Sequence, residues 1–330
     1  MDALDERLLN EFQRDFPLLE RPFEAIGARV GASEEVVLAR YVRLLERGAI
    51  SRIGVVFAPH AVGASTLAAM AVPAGRLEEV AGIVNAQPET NHNYQREHRL
   101  NLWFVLTGPT QLALDAAIAR IERASGLRVL ALPLLQEYHI DLGFDLGRDC
   151  VVHEMPKPRS RRKTPERRPH RLSVQAKKII AAVQAGLPLQ PRPFDAVAHQ
   201  AGCTTAAVLA TLAGWLADGV ARRIGVVVRH SALGFAANAM VVWDVPDADV
   251  PEVAEMLASH PQTTLCYRRP RHRPEWPYNL FCMIHGRDRD AVLSTLAKLR
   301  HRIELVGIPY EVLFSTRCFR QRGAHYAEAA

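Results

Sequence analysis

The chain repeats itself. Residues 20–33, ERPFEAIGARVGAS, return as 191–204, PRPFDAVAHQAGCT, and RIGVVF at 52–57 returns as RIGVVV at 223–228. PETNHNYQR (88–96) returns as PQTTLCYRR (261–269), and NLWFVLTG (101–108) as NLFCMIHG (279–286). Shared landmarks in one order mark a tandem duplication, which restricts the fold to two similar units packed as an intrachain pseudo-dimer. With 330 residues in all, the chain is long enough to bury substantial cores.

Between the copies, residues 156–171 (PKPRSRRKTPERRPHR) carry eight basic side chains against the single acid Glu166. The whole chain has a formal charge of +6, so the rest of it is close to neutral. A Pro-rich, highly charged stretch cannot bury a core; it reads either as a solvated linker (151–171) or as an arm for an anionic partner. No apolar run reaches the roughly 20 residues that span a bilayer. The start, MDALDERLLNEFQRDF, lacks a signal-peptide pattern. Five scattered cysteines without a CxxC pair predict a reducing, cytoplasmic setting, with neither a disulfide framework nor a thiolate metal site.

Each copy opens with three short helical patterns. Leu4, Leu8, Leu9 and Phe12 have helical spacing, Pro22 and Gly31 bound a second helix, and Ser33 caps a third carrying Val37, Tyr41 and Leu44. Helix, helix, glycine turn, helix and a strand starting RIGVV make a winged helix-turn-helix pattern. After the wing strand at 53–57, the elements predicted at 66–72, 76–85, 90–98, 102–107, 110–124 and 128–138 alternate as βαββαβ. That is an α+β, ferredoxin-like arrangement: an open antiparallel sheet with helices on one face. The plan is a helix-turn-helix at 1–51, an αβ domain at 52–150, the linker, a second helix-turn-helix at 172–222 and a second αβ domain at 223–330.

The strand at 90–98 puts His92, Tyr94, Arg96 and His98 on one face, because side chains alternate with period 2. Such a face suits neither solvent nor a core, and predicts a polar, anionic ligand. Tyr267 and Arg269 repeat Tyr94 and Arg96, but Leu265 stands where the repeat puts His92, so the copies are not equivalent sites. Arginine offers a bidentate fork to carboxylates, which makes Arg96, Arg268, Arg269, Arg271 and Arg273 candidate clamps. The insertion PRHRPEWP (270–277), which holds His272, reads either as a semi-rigid flap or as a longer turn. The two recognition helices begin SEEV and TTAA, without the cationic or amide side chains that read DNA. No Walker loop, GxGxxG fingerprint or HExxH helix is found.

A helix-turn-helix followed by βαββαβ resembles the Lrp/AsnC transcription regulators over nearly all of each half. NHNYQREHRLNLWF (91–104), RHSALGFAANAMVVWDVP (229–246) and YRRPRHRPEWPYNLFCMIHG (267–286) resemble, more narrowly, the siroheme decarboxylases. Those enzymes are built from two Lrp/AsnC-like subunits or one fused chain. The first half here is similar to one subunit type and the second half to the other, as in the fused form of the heme d1 pathway.

The resemblance implies siroheme as substrate, an iron isobacteriochlorin with eight carboxylates. It implies loss of CO2 from the C12 and C18 acetates to give didecarboxysiroheme, with no cofactor beyond the substrate's own macrocycle. On this reading His98, His230 and Arg96 act at the reacting carbon. His92, Tyr94, Tyr267, Arg268, Arg269, His272 and His285 hold the substrate, and either His285 or His230 ligates its iron. Self-association and contact with other heme d1 biosynthesis enzymes are the implied protein partners; specific DNA binding and a membrane are not expected. A tetrapyrrole sensor or carrier would use the same side chains, whereas a regulator would need a basic recognition surface that the chain lacks outside its linker.

Overall fold

The structure is a computed structural model that describes residues 1–140, 172–229, 237–260, 262–302, 305 and 307–326. The first copy runs α1 (Ala3–Glu11), α2 (Pro22–Val30), α3 (Glu34–Glu46), β1 (Ile50–Phe57), β2 (Ala64–Met70), α4 (Leu77–Ala86), β3 (Thr90–Arg96), β4 (Leu102–Gly108), α5 (Gln111–Ser125), β5 (Leu130–Pro133) and β6 (Gln136–Ile140). The second runs α6 (Val174–Val183), α7 (Pro193–Ala201), α8 (Thr205–Ala217), β7 (Ala221–Val228), β8 (Ala237–Trp243), α9 (Val250–Ala258), β9 (Thr263–Arg268), β10 (Leu280–Gly286), α10 (Arg289–Arg302) and β11 (Tyr310–Gln321). The basic linker and His230 lie outside the described residues.

Local chemistry sets the helix ends. Pro starts α2 and α7 in their first turns, and Gly31 (φ 75°) and Gly202 (φ 64°) stop them in the left-handed conformation that glycine tolerates best. Ser33 and Thr204 then accept hydrogen bonds from the first turns of α3 and α8. Leu8, Phe12, Phe23 and Tyr41 from the first copy share one core with Phe194 and Leu212 from the second. The two wing strands seal this merged core by pairing with each other, antiparallel, with Gly54 opposite Gly225. Gly225 permits the crossing: a Cβ there would stand 2.3 Å from the Phe12 carbonyl oxygen.

The αβ domains depart from the expected pair of open sheets. The strand expected at 128–138 breaks after Pro133; β5 pairs with β2 of its own copy, whereas β6 crosses to β9 of the other. β11 does the reverse without a break, pairing over Tyr310–Phe314 with β8 and beyond that with β3. The result is one nine-stranded sheet in the order β5-β2-β4-β3-β11-β8-β10-β9-β6. The physical reason is the sheet edge: β3 and β9 would each present an unpaired ladder, and exchanged strands satisfy it. Helices α4 and α5 cover the outer face of one half, and α9 and α10 that of the other. The inner faces enclose a third core that includes Trp103, Leu132, Met240, Trp276, Phe281 and Leu313.

Candidate active site

On β3, alternation sends Asn93 outward, where its amide donates to Ala81 O (3.3 Å) and Asn85 Oδ1 (3.1 Å) on α4. His92, Tyr94 and Arg96 therefore point inward. The His92 and Tyr94 rings meet edge-to-face at 6.1 Å. Arg96 is only 7% exposed; its Nη1 donates to Leu313 O at 2.9 Å, and its Nε has no partner. Burial draws the Arg96 pKa down to about 10, which leaves it a cation at neutral pH. The Tyr94 hydroxyl meets the Cys318 thiol on the neighbouring β11, and burial holds the phenol protonated.

Two further arginines complete this surface, and the sequence reading missed both. Arg52, on wing strand β1, lies close enough to His92 for its charge to reinforce burial, and together they push the imidazole down to about 4. Arg229, just past the end of β7, lies close enough to Tyr94 and Cys318 for its charge to oppose the burial that raises the pKa of both groups. Neither guanidinium forms an ion pair with a described residue, and the Nε of each is buried without a partner. The available signal was the repeat itself: Arg52 and Arg229 flank RIGVV-type strands, but nothing in one dimension directs a wing toward a distant sheet.

The second copy builds a different surface at the equivalent place. Tyr267 stacks on Phe281 with ring centroids 5.7 Å apart, beneath Arg269, whose Cζ lies 4.5 Å from the Tyr267 ring. Arg269 donates to Leu132 O just as Arg96 donates to Leu313 O. Glu137, opposite Tyr267 in the ladder, takes the place that Cys318 holds opposite Tyr94, and it is bound by Arg222.

Other expected site residues are placed elsewhere. β3 ends at Arg96 and the chain turns, so His98 leaves the strand while its ring stays on the inner side against Trp276: its Nδ1 accepts from Leu100 N–H (2.9 Å) and its Nε2 lies 2.8 Å from Glu311 Oε2. Both nitrogens are thus committed to the hairpin. Arg268 falls on the opposite face of β9 from Tyr267, because of strand alternation, and joins Asp247 (2.7 Å). Arg271 and Arg273 are likewise held, by Asp244 and Asp247. His272 Nε2 lies 3.0 Å from Ala131 O. His285 shares the inward face of β10 with Phe281 and Met283, at its far end. The 270–277 insertion is anchored rather than free to swing: Trp276 is 0% exposed and packs against Trp103, Tyr278, Phe281 and His98.

A cavity of about 450 Å³ lies between β1 and helices α6 and α7; its lining includes Leu45, Ile50, Arg52, Ala182, Leu189 and Val197. Its lining is too apolar for a carboxylate-rich ligand. The surface around His92 and Tyr94 has the opposite character. Cations that form no ion pair with a described residue, a neutral imidazole and a protonated phenol suit an anion that brings its own carboxylates.

The fold and this surface define a class: a duplicated AsnC-like chain whose sheets are joined by exchanged strands and whose interior offers cations to an anionic ligand. The family profile described as AsnC-like ligand binding domain matches residues 61–139 and 232–320, and that of the siroheme decarboxylase NirDL-like HTH domain matches 5–50 and 176–222. The siroheme decarboxylase NirDL subunit of Paracoccus denitrificans is 45% identical over 330 residues, covering 100% of this chain and 99% of its own length. A crystal structure of the siroheme decarboxylase NirDL matches 98% of this chain and 94% of its own, with TM-score 0.69 and 27% identity. The same enzyme in co-complex with an iron-uroporphyrin III analogue matches with TM-score 0.67. The chain belongs to the siroheme decarboxylase family, in its fused NirDL form.

Proposed function

We propose that this chain removes CO2 from the C12 and C18 acetate side chains of siroheme, giving 12,18-didecarboxysiroheme for heme d1 biosynthesis. The observation that carries the reading is the group of cations, Arg52, Arg96 and Arg229, that forms no ion pair with a described residue and lies around His92 and Tyr94. Siroheme arrives with carboxylates on its rim, and they stabilise a cationic surface that has no counter-charge among the described residues. In each turnover the bond between an acetate methylene and its carboxylate breaks, the electron pair passes into the conjugated macrocycle, and the methylene carbon takes up one proton. No cofactor beyond the substrate is needed for that balance.

His92 is the proton donor in this proposal, with Tyr94 hydrogen-bonded to the departing carboxylate. Burial is the larger cause of the lowered imidazole pKa and Arg52 the smaller. An incoming carboxylate that pairs with Arg52 removes the smaller one and, as a nearby anion, itself favours the protonated ring. The setting is a reducing cytoplasm, consistent with four free cysteines among the described residues. Among those residues no single helix is long and apolar enough to cross a membrane.

The regulator reading is not favoured. Glu34, at the start of the first recognition helix, is buried and paired with Arg21, and both helix-turn-helix units are locked into one core by the β1–β7 ladder. Anaerobic incubation with siroheme, followed by mass analysis of the extracted tetrapyrrole, tests the proposal. Loss of two CO2 units is expected; tight binding with unchanged mass would leave a carrier or sensor.

A further inference from the structure

The duplication supplies two places for a substrate site; three equivalent positions carry different residues, and a fourth carries the same arginine in different surroundings. Ladder register and backbone bonding define the equivalences. Arg229 N–H donates to Ala49 O and Ala58 N–H to Val220 O, both at 2.9 Å, so Ala58 is the counterpart of Arg229. Cys318 sits opposite Tyr94 and Glu137 opposite Tyr267. Arg52 corresponds to Arg223, and His92 to Leu265.

Each difference acts in the same direction. Arg52 has no hydrogen-bonding partner among the described residues, whereas Arg223 is buried and donates to Gln13 O and Val226 O. A cation (Arg229) faces a methyl group (Ala58), and an imidazole faces an isobutyl. A neutral thiol faces a carboxylate, Glu137, which neutralises Arg222 and opposes any further anion. Tyr94 is half-buried, but Tyr267 is 8% exposed and belongs to the core on the inner face of the sheet.

We propose that each chain has a single tetrapyrrole site, at the junction of β1, β3, β7 and β11, with Arg52 and Arg229 as its carboxylate clamps and its pseudo-symmetric counterpart at Tyr267 closed. The site is composite. His92, Tyr94 and Arg52 come from the first copy, Arg229 and Cys318 from the second, so neither copy forms it alone. The inference rests on the tetrapyrrole reading above but not on turnover.

Titration of the full-length chain with iron-uroporphyrin III, followed by absorbance, tests it. One equivalent bound per chain is expected. Arg52→Gln and Arg229→Gln should each weaken binding tenfold or more without lowering the thermal midpoint, because neither guanidinium forms an ion pair with a described residue. Arg229→Lys, which keeps the charge, should recover part of the loss. Glu137→Gln should leave stoichiometry at one and affinity within twofold. Two equivalents on the wild-type chain, unchanged affinity in both arginine variants, or no binding at all would overturn the proposal. Binding of one equivalent by a chain that leaves siroheme undecarboxylated would sink the enzymatic reading and uphold the single site.

Discussion

His92 shows how much one position depends on its surroundings. Burial and the Arg52 charge lower its pKa from 6.5 to about 4, so between those values the unfolded chain binds a proton that the folded one refuses. The stability contributed is complete above pH 6.5 and is lost as the pH falls toward 4, at up to about 1.4 kcal/mol per pH unit. His92→Leu, which installs the side chain found at 265, should flatten this part of the urea-midpoint profile. It should also lower turnover by about 10²- to 10⁴-fold while iron-uroporphyrin III still binds, the range for loss of a general acid. His98 tests the opposite case. Replacing it with Ala should cost about 1–3 kcal/mol by leaving the Leu100 N–H without its acceptor, read as a lower urea midpoint at pH 7. A His98 acting chemically would show unchanged stability and lost turnover.

At the scale of elements, period and punctuation carried the reading far. Helix ends at Gly31 and Gly202, the helical stripes and the inward set His92–Tyr94–Arg96 were all legible, because capping and alternation are local. The 270–277 insertion was not, since Pro and Trp suit a flap and a buried plug equally well. Trp276 decides it: with rings on four sides, the plug is part of the core. Trp276→Ala should therefore destabilise by about 3–5 kcal/mol, as for other large-to-small changes in packed cores, measured by chemical denaturation. A mobile flap would lose substrate affinity and keep its stability.

Across the whole molecule, the two copies are tied by exchanged strands as well as by their linker. With β6 on β9, β11 on β3 and β1 on β7, a cut at a protease site inserted within 151–171 should leave the pieces together on gel filtration under native conditions. Separation of the pieces would mean that the linker, rather than the sheet, joins the copies. The duplication, the α+β order and the unequal pair His92 and Leu265 are properties of residue order and spacing, so they were visible in one dimension. The crossing of β6 and β11, the approach of Arg52 and Arg229 to β3, and the outward turn of Arg268 were not. They depend on which sheet edge a strand reaches and which face it then presents, and contacts between residues far apart in the chain settle that.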